Sequence, residues 1–240
     1  MVIAIIAMLI GLLLPTLGRA REAGRAVACL SNQKQIGAAA MLYAGQYKDL
    51  VPREGVAPLG NGEVDRPPWA SVLRPFVDTR YSTGFDADDR FAGARYYRCP
   101  SRYMDGHAIQ YVVNGVPFVG PGRFDVRGRM NDRFRRGLTK LTLIPRPGEI
   151  VYLTDFAEDR DGSYARTWYT GTRDIDIAQW YDLWDERHIA GPASEIRVFP
   201  TRHGRGTHAV FFDGHAGLIA AEAISALARW DDGLYHRSAR

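Results

Sequence analysis

The first eighteen residues contain no charged side chain, and this constrains the fold of the 240-residue chain more than any other feature. The run MVIAIIAMLIGLLLPTL is almost entirely aliphatic. An α-helix rises about 1.5 Å per residue, so this segment spans roughly 27 Å, close to the ~30 Å hydrocarbon core of a bilayer. A helix that is apolar on all sides is typical of a membrane-inserted segment. We therefore expect residues 1–18 to insert into a membrane through Val2, Ile3, Ile5, Ile6, Leu9, Ile10, Gly11, Leu12, Leu13, Leu14 and Pro15.

The residues that flank this segment bear on its class and orientation. A cleavable secretory signal has a basic leader and small residues at its cleavage site, whereas Met1 begins the apolar run and Arg19 follows it. A buried core helix is an alternative, although few core helices are apolar on all sides. Arg19, Arg21 and Arg25 follow the segment and no basic residue precedes it. The positive-inside rule would then leave the rest of the chain in the cytoplasm, unless the natural N-terminus lies further upstream.

The helical pattern continues beyond the apolar segment. No proline occurs between Arg19 and Tyr47, and Pro15 should kink the helix without ending it. Residues at steps of 7, 4, 3 and 4 form one face of an α-helix: Cys29, Ile36, Ala40, Tyr43 and Tyr47. We therefore predict one helix of about 47 residues, amphipathic over 19–48 and ended by the Gly/Pro-rich stretch that begins at Pro52.

Residues 49–240 are predicted to form one globular α+β domain, because the long helix is followed by strand patterns. A short helix is expected over 69–77, and β-branched or aromatic segments predict strands at 108–113, 138–144, 149–155, 163–169 and 194–199. The sequence THAVFFDGHAGLIA predicts a hairpin over about 207–220, with Asp213 and Gly214 as the positive-φ pair of a type I′ turn. A closing helix is expected over 221–230.

Composition and motifs give little indication of catalysis. A net charge of +4 is too small to make nucleic acid an expected partner. The sequence has no G-x-S-x-G, no H-E-x-x-H and no Walker loop. We therefore expect no catalytic residue, no enzymatic activity and no cofactor.

Several segments in a fixed order resemble a known family. They are VIAIIAMLIGLLLPTLGRAREAGRAVACLSNQKQIGAAAMLYAGQYKD, Cys99-Pro100-Ser101, YVVNG at 111–115, PGEIVYLTD at 147–155, and His203 followed after nine residues by Asp213-Gly214. Together they resemble the type IV pilin-like superfamily, and more narrowly the bacterial prepilin-type proteins with a C-terminal His-x9-Asp-Gly mark. The resemblance implies that the second half of the long helix packs against an antiparallel sheet.

The resemblance also implies a segment upstream of this sequence. In the family, a leader ending in Gly and then Phe-Thr-Leu-Ile-Glu-Leu-Leu precede the apolar run, and Met1 stands where the family has valine. We expect an in-frame upstream stretch that encodes such a leader, which would make a prepilin peptidase a partner. A stop codon directly upstream would contradict this expectation.

Four residues near the C-terminus, His203, His208, Asp213 and His215, suggest a metal site. In the expected hairpin, however, His208 and His215 would share a face but lie about 13 Å apart along the strands, too far to share one ion. We therefore assign structural roles to the motif residues: Asp213 and Gly214 form the turn, and His203 anchors a loop.

A weaker candidate site is calcium at Asp155, Glu158, Asp159 and Asp161. The spacing departs from an EF-hand because Ala157 occupies a ligand position, so a solvated loop is the favoured interpretation. Resemblance to pseudopilins, which use calcium in a C-terminal loop, keeps the site as a candidate.

Cys29 and Cys99 are predicted to form a disulfide. Cys29 shares its helix face with Ile36, and Cys99 precedes a proline in a loop expected to enter the sheet. A periplasmic location would permit oxidation. The alternative is two buried thiols that pack as small apolar groups.

The resemblance implies a non-enzymatic pilin-like or pseudopilin subunit of a type IV pilus or a type II secretion system. The helix would hold it in the inner membrane with the globular domain in the periplasm. Its partners would be the lipid bilayer, other pilin-like subunits and the inner-membrane assembly machinery. The alternative is an anchored periplasmic protein that binds polysaccharide or metal and uses the helix only as an anchor.

Overall fold

A single long helix and a five-stranded sheet form the architecture. The computed structural model describes residues 2–53, 69–81, 91, 93–101, 109–115, 140–157, 182–183, 186–192 and 195–231. Helix α1 spans Val2–Gln46, so the predicted continuous N-terminal helix is confirmed. Helix α2 spans Trp69–Val77 as predicted. The later described segments contain two one-turn helices, α3 (Arg187–Ala190) and α4 (Ala221–Ile224).

The strands form one sheet in the order β3-β1-β2-β4-β5. They are β1 (Tyr111–Asn114), β2 (Val151–Asp155), β3 (Asp182–Leu183), β4 (Gly206–Phe211) and β5 (Ala216–Ala220). The pairs β1–β2, β2–β4 and β4–β5 are antiparallel, which confirms the α+β class. The short edge strand β3 pairs with β1 in parallel and had no counterpart among the predicted strands.

Among the described residues, only the second half of α1 packs against the rest of the molecule. Its buried residues are Cys29, Gln33, Ile36, Gly37, Ala39, Ala40 and Ala44. Residues 2–25 are exposed throughout. The small residues allow the helix backbone to approach the sheet closely: a Cβ on Gly37 would lie 2.7 Å from Val210 Cγ1 and 3.0 Å from the carbonyl oxygen of Gly214.

Three strand predictions need correction or fall outside the described residues. The segment 138–144 is not a strand over its described part, because Leu141–Leu143 forms a 3₁₀ turn. The Asp49 carboxylate accepts hydrogen bonds from the amide and hydroxyl of Thr142, which holds this turn in place. The predicted strand at 194–199 is reduced to one bridge between Val198 and Phe156. The segment 163–169 lies outside the described residues.

The C-terminal hairpin is present, but its turn differs from the prediction. The amide of Phe211 donates to the carbonyl of His215, so three residues form the loop. Of Asp213 and Gly214, only Gly214 has a positive φ, +86°. The Asp213 carboxylate instead accepts the amide of His215 at 3.0 Å, as in an Asx turn. The turn therefore requires glycine at 214 and does not require a left-handed residue at 213.

The loop length also changes the strand register. His208 pairs with Leu218, and His215 lies opposite Phe211, whose ring it stacks against at 4.2 Å. Paired residues share a face, so His215 lies on the same face as Phe211. Positions 208 and 211 differ by three, an odd number, so His208 and His215 project from opposite faces of the hairpin. The expectation that these two histidines share a face is therefore wrong.

The chain after the hairpin closes over the domain with two short turns instead of the predicted helix over 221–230. Helix α4 ends at Ile224, and a 3₁₀ turn follows at Leu227–Arg229. Ile224 and Trp230 are fully buried, and the Trp230 indole donates to the carbonyl of Ile224 at 2.7 Å.

Candidate functional site

A buried polar cluster lies where α1, β2, β4 and two loops meet. We call it the Cys–His–Asp cluster; its members are Cys29, Cys99, Asp155, His203 and His208. Four of the five residues are buried over backbone and side chain together, and the side chain of His203 is only 2% exposed. Buried ionisable side chains are costly unless they are paired, so this concentration of polar groups calls for a physical explanation.

Asp155 lies at the centre of the cluster. It is the last residue of β2 and is 0% exposed. Its carboxylate accepts hydrogen bonds from the Thr207 hydroxyl at 2.7 Å, the Gln33 side-chain amide at 3.2 Å and the His208 main-chain amide at 3.2 Å. Burial raises the pKa of Asp155, but hydrogen bonding to His203 and its charge outweigh burial, so the pKa lies below its usual value.

His203 is the ion-pair partner of Asp155. Its Nε2 lies 3.3 Å from Asp155 Oδ2. The loop is fixed by the His203 amide, which donates to the carbonyl of Gly206, and by Gly204, which has φ +83°. Burial lowers the pKa of His203, but its hydrogen bonds to Asp155 and Cys99 raise it more, to about 9. The imidazole is therefore protonated at neutral pH.

The two cysteines contact this ion pair from opposite parts of the chain. Cys29 Sγ lies 3.4 Å from Asp155 Oδ1 and 3.5 Å from the Tyr111 hydroxyl. Cys99 Sγ lies 3.7 Å from His203 Nε2, and the two thiols are close enough to shift each other's pKa. The structure contains both as free thiols. It brings the predicted disulfide partners into contact, and the bond itself stays a prediction.

The two thiols have different acidities. Burial raises the pKa of Cys29 far above its usual value. The hydrogen bond from Cys29, helped by His203, lowers the pKa of Cys99 to about 7. In the metal-free protein Cys99 is therefore the more acidic thiol of the pair.

His208 completes the cluster. Its ring stacks on that of His203, with centroids 4.0 Å apart. Burial and the nearby charge of His203 lower its pKa to about 4, so His208 is neutral. Among the described residues, the Nδ1 atoms of both histidines are buried without a hydrogen-bond partner.

This arrangement does not resemble a nucleophilic catalytic triad. In a triad, the acid orients the imidazole through one nitrogen and the nucleophile approaches the other. Here Asp155 and Cys99 both approach Nε2 of His203. Metal binding fits the donor set better: Cys29, Asp155, His203 and His208 each offer one ligand atom, and these atoms all lie within 4.8 Å of one another.

The structure separates the two residues of the His-x9-Asp-Gly motif. His203 lies near the start of β4, in the Cys–His–Asp cluster. Asp213 lies beyond the other end of the strand, where its carboxylate is 2.6 Å from Nδ1 of exposed His215. Gly214 packs close to Met41 of α1. The motif thus marks two separate contacts of the hairpin with its surroundings.

Of the four residues of the calcium candidate, the structure describes only Asp155. Asp155 is fully enclosed in the sheet and does not belong to a solvated loop. Glu158, Asp159 and Asp161 lie outside the described residues. Three further partners in the cluster, Gln33, Tyr111 and Thr207, were not predicted from the sequence. Their signal is a polar residue within an otherwise apolar element.

The exposed half of α1 is the second candidate functional region. Within the described residues, α1 is the one helix long and apolar enough to cross a membrane, and none of its apolar window is buried. The apolar side chains expected to insert into a bilayer are therefore presented outward from the domain.

Comparison of the sequence with known families identifies the family of this chain. Residues 18–180, more than half of the chain, match the model of the family described as SBP_bac_10, Protein of unknown function (DUF1559). The chain belongs to the DUF1559 family. DUF1559 proteins are bacterial and often have a pilin-like N-terminal helix. The matched segment includes Cys29, Cys99 and Asp155, whereas His203 and His208 lie beyond it. No curated protein and no solved structure matches the chain.

Proposed function

We propose that this DUF1559 protein is a pilin-like subunit that is anchored in the inner membrane and assembles through α1 into a pilus or a secretion pseudopilus. In this proposal the globular domain lies in the periplasm, and the function is assembly instead of catalytic turnover. Its partners are neighbouring pilin-like subunits, the inner-membrane assembly machinery and a prepilin peptidase.

The division of α1 into an exposed and a packed half carries this proposal. Eleven large apolar side chains between Val2 and Leu17 are exposed. Leaving that surface in water costs on the order of 20 kcal/mol, at about 2 kcal/mol per side chain. A bilayer or the helices of neighbouring subunits would remove this surface from water. Because residues between Cys29 and Ala44 pack against the domain, the apolar half is joined to it by one continuous helix.

Site-specific photo-crosslinking in intact cells tests the assembly. A photoreactive amino acid at Leu9 or Leu13 should give a ladder of homo-oligomers, because these positions would contact neighbouring helices. The matched control places it at Glu222, an exposed position on α4, where no ladder is expected. Membrane-bound protein that gives no ladder from either helix position would overturn the assembly proposal.

That outcome would favour a membrane-anchored binding protein that does not polymerise. The specific observation in favour of this alternative is the Cys–His–Asp cluster, whose donor atoms suit a metal ion.

A further inference from the structure

The spacing of donor atoms in the Cys–His–Asp cluster matches a compact metal site. In a tetrahedral zinc site with bonds of about 2.0–2.3 Å, neighbouring ligand atoms lie roughly 3.3–3.8 Å apart. Asp155 lies between two of the other donors: its Oδ2 is 3.3 Å from His203 Nε2, and its second oxygen, Oδ1, is 3.4 Å from Cys29 Sγ. The site needs only one of these two oxygens as a ligand. All four donor atoms lie within 4.8 Å of one another, so contraction by about 1 Å would bring the widest pair to tetrahedral spacing.

The charges of this set suit a buried divalent ion. A Cys29 thiolate and the Asp155 carboxylate supply two negative charges, and two neutral imidazoles supply none. One divalent cation would therefore give a neutral site, which is the least costly charge state in a low-dielectric interior. The buried Nδ1 atom of His208, which has no hydrogen-bond partner, is a second indication, because such atoms are otherwise satisfied by protein or water.

The geometry points to a structural site for one divalent transition-metal ion, Zn²⁺ by its ligand chemistry, bound by Cys29, Asp155, His203 and His208 in the thiol form of the protein. Binding releases the thiol proton of Cys29 and the excess proton of the His203 imidazole to solvent, so that sulfur and nitrogen lone pairs reach the metal. The ion would join α1 to β2, β4 and the loop before β4. This inference does not depend on assembly.

Oxidation and metal binding exclude each other at Cys29. A disulfide between Cys29 and Cys99 uses the same sulfur that would bind the metal. The second thiol therefore gives a means to separate the two states: Cys99→Ser cannot form the disulfide, and it leaves all four proposed ligands in place.

Cobalt titration of the full-length protein in detergent tests the site. Co²⁺ substitutes for Zn²⁺ and gives a thiolate-to-metal charge-transfer band and intense visible bands when it is tetrahedral. We expect one equivalent to bind to the reduced wild type, and Cys99→Ser to bind one equivalent without reductant. Oxidised wild type should bind at least tenfold more weakly and lack the charge-transfer band.

Variants assign the ligands. Cys29→Ser should lose the charge-transfer band, and His208→Gln should bind Co²⁺ at least tenfold more weakly. The control His215→Gln, an exposed histidine outside the cluster, should behave as wild type. Because a ligand variant could fail to fold, the wild type and Cys99→Ser also provide an independent readout: Zn²⁺ should raise their melting temperature and a chelator should reverse the shift. No uptake by reduced wild type and Cys99→Ser, or an unchanged spectrum in folded Cys29→Ser, would overturn the inference.

Discussion

Asp155 is the residue on which the buried cluster depends. A carboxylate that is 0% exposed is tolerated because it pairs with His203 and accepts four further hydrogen bonds. Its removal leaves the His203 charge and several donors without their acceptor. Breaking a buried ion pair in this way typically costs about 3–5 kcal/mol.

We therefore expect Asp155→Ala to lower the free energy of unfolding by at least about 3 kcal/mol, measured by urea denaturation. Asp213→Asn is the matched control, because Asp213 is exposed and asparagine can keep the same turn hydrogen bond. It should change the stability by less than about 1 kcal/mol. Equal effects of the two substitutions would contradict the assignment of the ion pair as the structural centre.

The opposite pKa shifts of His203 and His208 favour a stability maximum near pH 6.5, and the lowered pKa of Cys99 makes the alkaline side of that maximum shallower. The folded pKa of His203 is raised to about 9, so its contribution is complete below pH 6.5 and is lost as the pH rises through 9. The folded pKa of His208 is lowered to about 4, so its contribution is complete above pH 6.5 and is lost as the pH falls through 4. Each shift corresponds to roughly 3 kcal/mol.

Unfolding free energies between pH 4 and pH 9 measure this effect. His203→Gln should be less stable than wild type near pH 6.5 and should flatten the alkaline limb. His208→Gln should flatten the acidic limb. A pH profile in which both variants keep both limbs would show that other groups control the titration.

At the scale of elements, the contact between α1 and the hairpin depends on Gly37. A methyl group there would lie 2.7 Å from Val210 Cγ1 and 3.0 Å from the Gly214 carbonyl oxygen, so the helix would have to move away from the sheet. We expect Gly37→Ala to destabilise by about 1–3 kcal/mol in urea unfolding. Gly45 lies on the same helix, and a Cβ added there would have no neighbour within 4 Å. Gly45→Ala should therefore raise the free energy of unfolding by up to about 1 kcal/mol. A stabilising Gly37→Ala would refute the close approach.

The same helix is predicted to be tied to the loop at Cys99 by a disulfide. The two thiols are close enough to shift each other's pKa, and the disulfide would close a loop of about 70 residues. On the chain-entropy model, oxidation should stabilise the protein by roughly 4 kcal/mol, less any strain. Unfolding with and without reductant measures the difference, and Cys99→Ser should show none. Equal stabilities of oxidised and reduced wild type would contradict the prediction.

Long, strongly patterned elements could be predicted from the sequence. α1, α2, β2 and the hairpin have their own apolar period or turn residues, and the structure places them close to the expected positions. The prediction of a strand at 138–144 was wrong because Asp49, about 90 residues away, fixes the turn at Leu141–Leu143 through Thr142. The type I′ turn was wrong because the Asp213 side chain competes for the His215 amide.

The cluster could not be assembled from local patterns. Its members come from α1, β2, β4 and two loops, spread over positions 29 to 208, and Asp155 resembled a residue of an acidic loop. Sequence spacing also grouped His208 with His215, and a one-residue difference in loop length places them on opposite faces. Only the tertiary packing of α1 on the sheet brings Cys29 to Asp155.

At the scale of the whole molecule, the chain consists of a folded domain and an apolar helix that extends from it. The apolar half contributes nothing to the described core, so substitutions there should leave the domain folded. The same pair of substitutions, four residues apart, can therefore be made in each half of α1. Comparison of the two pairs distinguishes an effect on membrane anchoring from an effect on folding.

We expect the double substitution Leu9→Lys with Leu13→Lys to release the protein from membranes. Lysine in the centre of a membrane helix costs about 3 kcal/mol, so the pair should weaken insertion by roughly 6 kcal/mol. The measurement is the membrane-bound fraction after alkaline extraction, with circular dichroism to check the fold. The control, Ala38→Lys with Leu42→Lys, places two lysines at the same spacing on exposed positions of the domain-packed half. It should stay in the membrane because those positions lie outside the apolar segment. Retention of the Leu9/Leu13 variant in the membrane would show that some other part of the chain provides the anchor.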